Sequence, residues 1–226
     1  MKLEDKQVLI EYLNQFITQE RRQRIETVLQ QRTRQITIVL EDIYQAHNAS
    51  ACLRSCDGFG LQDVHIVENR NLFNLNRDVS LGSDRWLTLY HHCQPKINNT
   101  KYCVEQLKQA GYQIVATTPH EQEMTLDQLP IDQKIALVFG TELDGISDAV
   151  QSQADRLVRI PMTGFCESFN ISVSVALCLY DLTTRLRKSS VNWQLSQGEK
   201  QELRYQWIRQ SIRHGKQIEQ RFLQQH

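Results

Sequence analysis

The sequence predicts an α/β fold: a mostly parallel sheet with helices on both faces, extended by helices at the N and C termini. Two patterns carry this prediction. Five short runs rich in β-branched residues, Ile36–Leu40, Val64–Val67, Tyr112–Ala116, Ile135–Phe139 and Leu157–Ile160, are bounded by polar or glycine-containing segments and read as buried strands. Helical candidates near 48–58, 100–110, 146–153 and 168–187 alternate with them, and such alternation is satisfied by a parallel sheet covered on both sides. A chain of 226 residues, 40% apolar and 23% charged, has the composition of one ordinary folded core.

In chain order, Lys2 to about Ile17 and about Glu20 to Gln31 repeat apolar residues every three or four positions without Gly or Pro, which predicts two short helices. The strand and helix alternation then fills residues 35–188. Ser189 to Gln194 reads as a linker. A last polar helix, roughly 196–224, places Leu203 with Trp207 and Ile218 with Phe222 at i,i+4 spacing and so packs by a narrow stripe. The expected division is an N-terminal helical extension (1–34), a central α/β domain (35–188) and a basic C-terminal helical extension (189–226).

Several function classes fall away. The longest strongly apolar stretch, Ile171 to Leu182, is far shorter than the ~20 residues that span a bilayer. Glu4, Asp5, Glu11, Glu20 and Glu26 interrupt the first 30 residues, so no secretory signal is expected and the protein is expected in the cytosol, away from membranes. No Gly-rich turn follows the first strand and no GxxxxGK[ST] occurs, which argues against dinucleotide oxidoreductases and P-loop NTPases. The six cysteines contain no CxxC pair, and His91, His92 and Cys93 alone form too weak a cluster for zinc, so reduced thiols and no metal are expected.

The net charge of zero conceals a polarity: residues 1–34 carry +2, residues 185–226 carry +6 and the middle carries −8. Arg21, Arg22, Arg24, Arg32 and Arg34 crowd one end, and Arg209, Arg213 and Lys216 recur at helical spacing near the other. Such stripes either track a phosphate backbone or are the solvated faces of amphipathic helices. On the first reading, Arg21, Arg24, Arg32, Arg209, Arg213 and Lys216 contact RNA.

Three segments are unusual for scaffold: HNASACLRSCDGFG from His47, FGTELDGIS from Phe139 and IPMTGFCESFNISVSVA from Ile160. Each begins near the C-terminal end of a predicted strand or opens a helix, where open α/β sheets place ligand sites. Singly, each has a structural explanation, since Asn48 or Ser168 can cap a helix and Gly140 and Gly145 can turn the chain. Together, and in this order, they resemble the signatures of the SpoU branch of knotted RNA methyltransferases: N-x-x-A-x-x-R, F-G-x-E-x-x-G-[IL]-S, and I-P-M followed by S-[LF]-N-[IV]-S. The resemblance covers about residues 36–187. The helical extensions resemble those of the TrmH-type tRNA guanosine-2′-O-methyltransferases.

The resemblance implies a C-terminal deep trefoil knot, a homodimer, S-adenosylmethionine as cofactor and tRNA as partner, with methylation of the D-loop guanosine at position 18. It implies catalytic positions at Arg54, Asn48, Glu142, Ser168 and Asn170, with Arg54 acting on the ribose hydroxyl either as base or as stabiliser of its charge. It implies cofactor contacts at Thr117, Gly140, Ile160, Met162 and Phe169, where backbone groups and apolar walls suit a neutral adenine beside a sulfonium. Phe169 stands where the family more often has Leu, Ser55 where it often has Thr, and Leu143-Asp144 replaces a frequently basic or small pair. Two alternatives stay open: the same chemistry on ribosomal RNA, and an RNA-binding dimer without catalysis.

Overall fold

The computed structural model describes residues 3–118, 124–141 and 143–225, which form two compact units. One runs from Thr33 to Trp193; the other joins the segment up to Arg32 with the segment from Gln194 onward. The two terminal extensions, far apart in sequence, therefore fold together. None of the described helices is long and apolar enough to cross a membrane.

The larger unit is built on seven strands: β1 (Ile36–Glu41), β2 (Asp63–Val67), β3 (Thr88–His92), β4 (Tyr112–Thr117), β5 (Met124–Thr125), β6 (Lys134–Phe139) and β7 (Arg156–Arg159). Their order is β3-β2-β1-β6-β4-β7-β5, and every pairing is parallel. The inner strand β1 aligns Ile38 with Val64 on one side and with Leu137 on the other. Its six residues are all buried. Strand alternation then sorts side chains to two faces.

Ile36, Ile38, Leu40, Val64, Ile66, Val115, Ile135, Leu137 and Val158 pack beneath α3 (Ala46–Phe59) and α7 (Ile171–Lys188), through Cys52, Leu53 and Cys56 of the first and Val175, Cys178 and Leu182 of the second. On the opposite face Val39, Val67, Ile114, Ala116, Ala136 and Val138 meet Cys103, Val104 and Leu107 of α5 (Asn99–Gln109) and Val150 of α6 (Asp148–Gln151). A fifth helix of this unit, α4 (Arg77–Ser80), is a single turn. Cys52, Cys56, Cys103 and Cys178 are buried, and burial pushes the Cys103 and Cys178 thiols up to about 12, so they stay protonated.

Several boundaries differ from the sequence reading. β3 was not expected: Thr-Leu-Tyr-His-His lies near the sheet edge, half exposed, and lacks the apolar signature of its neighbours. α7 starts at Ile171 with Asn170 as its cap, the Asn170 carboxamide oxygen accepting from the Ser172 N–H at 2.9 Å; Ser168 is not the cap. Asn48 lies inside α3, whose cap position is Gln45. All of the expected linker but Gln194 is part of the larger unit, where the Trp193 carbonyl accepts from Thr33 Oγ1 at 2.6 Å and the Asn192 carbonyl from Gln35 Nε2 at 3.1 Å.

The smaller unit contains α1 (Leu3–Leu13), α2 (Gln19–Leu29), α8 (Gln197–Ser211) and α9 (Gly215–Gln225). The single C-terminal helix expected from the sequence is broken at residues 212–214. His214 takes φ 62°, and a Cβ on Gly215 would lie 2.0 Å from the Arg209 carbonyl oxygen, so glycine is required there. Leu9, Leu13, Leu29, Leu203, Trp207, Ile208 and Phe222 form the unit's interior, with Phe222 against Tyr12 at a ring separation of 4.7 Å. Ser196 opens α8 with a capping box closed by Glu199.

This unit corrects the set of expected RNA contacts. Arg32 is wholly buried, its guanidinium 5.2 Å from the centre of the Trp207 ring, and cannot meet a phosphate in this fold. Arg209 is half-buried, donating to Glu219 at 3.1 Å and lying over Tyr205. Arg21 and Arg24 on α2, Arg213 in the break and Lys216 on α9 are exposed, as is Arg22.

Candidate active site

The site forms where α3 and α7 begin beside the C-terminal ends of the central strands. Asn48, 4% exposed, donates through Nδ2 to Gln45 Oε1 at 2.8 Å and accepts at Oδ1 from Asn170 Nδ2 at 3.2 Å. Asn170 in turn accepts at Oδ1 from the Ser172 hydroxyl at 2.6 Å. The first and third motifs, 122 residues apart, are thereby joined by one amide-to-amide hydrogen bond. Arg54 lies nearly two turns beyond Asn48 on α3, exposed; among the described residues its guanidinium makes no hydrogen bond or ion pair.

The second motif follows β6. A Cβ on Gly140 would lie 1.9 Å from the Gly145 carbonyl oxygen and 2.4 Å from the Ile146 nitrogen, so only glycine lets the loop close. The loop is cinched by Thr141 and Gly145, each accepting the other's N–H at 2.9 and 3.1 Å, with Gly145 at φ 68°. Glu142 lies outside the described residues. The loop's far end is anchored by Glu41, buried at the end of β1, which accepts from the Ser147 N–H at 3.1 Å, the Ser147 hydroxyl at 2.7 Å and the Thr100 hydroxyl at 2.6 Å. On the loop's outer side Asp144 pairs with Arg70 at 3.1 Å.

The residues expected to hold a cofactor come from adjacent strands. Thr117 ends β4 and donates to the Val138 carbonyl at 3.2 Å; Gly140 follows β6; Ile160 follows β7, two residues before Met162. The order β6-β4-β7 makes these strand ends neighbours, with Ile160 packed against the core. Ser168 and Phe169 are exposed in the non-helical stretch before α7, Phe169 by 40%. The structure thus joins Asn48 to Asn170, gathers Thr117, Gly140 and Ile160 at one end of the sheet and leaves Arg54 open.

Known proteins with this arrangement identify its kind. Residues 35–180 match the model of the SpoU rRNA Methylase family. The chain belongs to that family. The chain is also 46% identical over 207 residues to the tRNA (guanosine(18)-2′-O)-methyltransferase of Borreliella burgdorferi, an alignment covering 92% of this chain and 93% of that one. It is similar to the crystal structure of the A. aeolicus TrmH/SpoU tRNA modifying enzyme, with a TM-score of 0.76, 26% identity, and coverage of 86% of this chain and 98% of that one. A more distant fold likeness, TM-score 0.59 at 21% identity over 70% of this chain and 63% of the other, is to the SpoU methyltransferase AviRb from Streptomyces viridochromogenes, solved in complex with the cofactor AdoMet.

Within this SpoU-family site, sequence reasoning missed Gln45 and Glu41. Glu41 carried a local signal, a carboxylate closing an otherwise apolar strand; Gln45 carried none. Sequence reasoning also weighed a different histidine cluster from the one the fold makes. His65, His92 and Cys103, from β2, β3 and α5, bring their polar atoms within 4.8 Å of one another. His65 Nδ1 and His92 Nε2 are 3.1 Å apart, the ring centres are 5.4 Å apart and the planes are 18° from parallel. That ring separation matches the N···N distance plus the two ring radii, so the two nitrogens meet head-on. This is the geometry of an N–H···N bond, not of two lone pairs converging on one ion. Burial, with His92 alongside, holds His65 down to about 3 and keeps it neutral.

Proposed function

We propose that this protein transfers a methyl group to the ribose 2′-hydroxyl of guanosine 18 in tRNA. The observation that carries the reading is the 46% identity to a tRNA (guanosine(18)-2′-O)-methyltransferase along nearly the whole of both chains, terminal segments included. S-adenosylmethionine supplies the methyl group, carried on a sulfonium. Gly140, Thr117, Ile160, Met162 and Phe169 hold the cofactor through backbone groups and apolar walls, and the tight loop at Gly140, which tolerates no side chain, fits a backbone cradle of that kind.

A ribose hydroxyl is a weak nucleophile at neutral pH, so its oxygen must be positioned and its developing charge stabilised. Arg54 does both on this reading: its guanidinium stands open on a helix fixed by core packing, and it donates N–H to the oxygen while the hydroxyl proton passes to solvent water as the oxygen takes the methyl group from sulfur. A guanidinium keeps its proton in proteins, which favours stabilisation of the alkoxide over proton abstraction. Asn48 and Asn170 hold the start of α3 against the start of α7 and so fix the bearing of Arg54. Glu142 and Ser168 complete the polar set by their motif positions.

Two structural features belong to the same reading. The deep trefoil knot lies in the C-terminal part of the sheet, where the chain leaves β7 through the stretch at 160–170, exposed from 163 onward, before α7 returns to pack beside α3. The homodimer forms on α7, whose Val173, Leu177 and Tyr180 are spaced i, i+4, i+7 and stay exposed on a helix whose other face is buried in the core. Arg21, Arg24, Arg213 and Lys216 meet tRNA phosphates, and the protein works in the cytosol, where tRNA is found. Mapping of 2′-O-methyl groups in RNA from cells with and without the protein tests the assignment. The methyl group on guanosine 18 should disappear with the protein, whereas loss of a ribosomal methyl group alone would move the substrate to rRNA, and loss of neither would refute the activity.

A further inference from the structure

The outer face of α3 forms one wall of a groove of about 670 Å³ whose other side is α4. His47, Ala51, Arg54 and Gly58 recur at i, i+4, i+7 and i+11 along it, so they share one face of the helix. Gly58 is not forced by geometry: a Cβ there meets nothing within 4 Å, and glycine inside a helix costs about 0.8–1.0 kcal/mol relative to alanine. Its effect is to keep the groove floor low. The volume suits a nucleoside.

Two opposite charges line this groove without neutralising each other. Arg54 on α3 and Asp78 on α4 are both exposed, and among the described residues neither side chain makes a hydrogen bond or ion pair. A ligand that lies between them must present oxygen to the guanidinium and N–H donors to the carboxylate. A guanosine does so: its ribose supplies the oxygen, and its Watson–Crick edge carries two adjacent donors, N1–H and the 2-amino group. A carboxylate has two acceptor oxygens and no donor, which matches that edge. Adenine would turn the lone pair of N1 toward the carboxylate, and uracil and cytosine each lack the second adjacent donor. Phe59 and Val79 give the groove apolar walls for an unstacked base.

We propose that Asp78 reads the Watson–Crick edge of the target guanine while Arg54 acts on its ribose, which makes Asp78 the specificity-determining residue of this site. The inference rests on the tRNA guanosine reading above and adds to it the group that selects the base.

The test uses the full-length protein and three otherwise identical tRNAs carrying guanosine, inosine or adenosine at position 18. The parent should favour guanosine over inosine, which lacks the 2-amino donor, by about tenfold, and adenosine should be poorer still. Asp78→Asn should lower kcat/KM on the guanosine tRNA about 10- to 100-fold and narrow the guanosine-to-adenosine ratio, because a carboxamide offers one donor and one acceptor. Asp78→Glu should keep the guanosine preference. Melting temperature and S-adenosylmethionine affinity should match the parent in both variants. Asp78→Asn turning over all three tRNAs as the parent does, or losing rate equally on all three with its preference intact, would overturn the assignment of Asp78 alone. A parent that methylated none of them would overturn the methyltransferase reading and this inference with it.

Discussion

Arg54 in the sheet unit and Arg32 in the helical unit have opposite fates. In the sheet unit, Arg54 stands on the exposed face of a packed helix with its guanidinium unengaged among the described residues, while the neighbouring Asn48 and Asn170 are locked to each other. In the helical unit Arg21, Arg24, Arg213 and Lys216 stay exposed, but other basic residues are committed inside the fold: Arg32 lies under Trp207, Arg204 grips Glu26 through two hydrogen bonds of 2.5 and 2.8 Å, and Arg209 pairs with Glu219. Lys200, also buried, donates to Gln30 at 2.7 Å. A formal charge of +6 near the C-terminus therefore overstates the charge that faces solvent. The useful quantity for phosphate binding is the charge left over after internal pairing, and the net count does not report it.

The largest effect that could break this comparison is at Arg54. Arg54→Ala should lower methyl transfer by ~10²-fold or more with S-adenosylmethionine affinity nearly unchanged, and Arg54→Lys should rescue it incompletely because a point charge lacks the planar fork. Single-turnover kinetics beside a cofactor titration measure both, and a parent-like rate in Arg54→Ala would show that the open guanidinium is idle. Next in size, Arg32→Ala should destabilise the protein by about 1–3 kcal/mol in chemical denaturation, through lost packing against Trp207, while leaving the salt dependence of tRNA binding as it was. A flattened salt dependence with unchanged stability would put Arg32 back among the phosphate contacts. The smallest effects belong to the exposed set. Replacing Arg21, Arg24, Arg213 or Lys216 with Gln should each reduce the slope of log K against log salt by roughly 0.7–0.9, with little change in melting temperature. Four substitutions that left both slope and affinity at parent values would mean that these side chains are only solvated helix faces.

Much of the sheet unit was legible because its signals are local. A strand buried on both faces is apolar along most of its length, as β1 and β6 are, and β2, β4 and β7 each announce themselves by a short apolar, mostly β-branched core between polar ends. The motif residues were legible for another reason, since their spacing resembles a known family. The edge strand β3 was not legible: it pairs only with β2, its side chains are half exposed, and nothing in Thr-Leu-Tyr-His-His demands burial. The break between α8 and α9 was hidden as well, because it depends on the close approach of Gly215 to the Arg209 carbonyl, which no periodicity reveals.

By itself the sequence determined the alternation of strands and helices, the family motifs and the identities of Asn48, Arg54 and Asn170. Only the tertiary structure decided which partners those residues meet. Asn48 finds Asn170 across 122 residues, Arg204 finds Glu26 across 178, and the two termini close into one unit. It also decided that Asp78 would share a groove with Arg54, and that His92 would face His65 rather than act with its sequence neighbours His91 and Cys93. The reason is physical: periodicity along a chain tells which face of an element is buried, whereas the element that covers that face, and the charge that cover consumes, are fixed by packing between segments far apart in sequence.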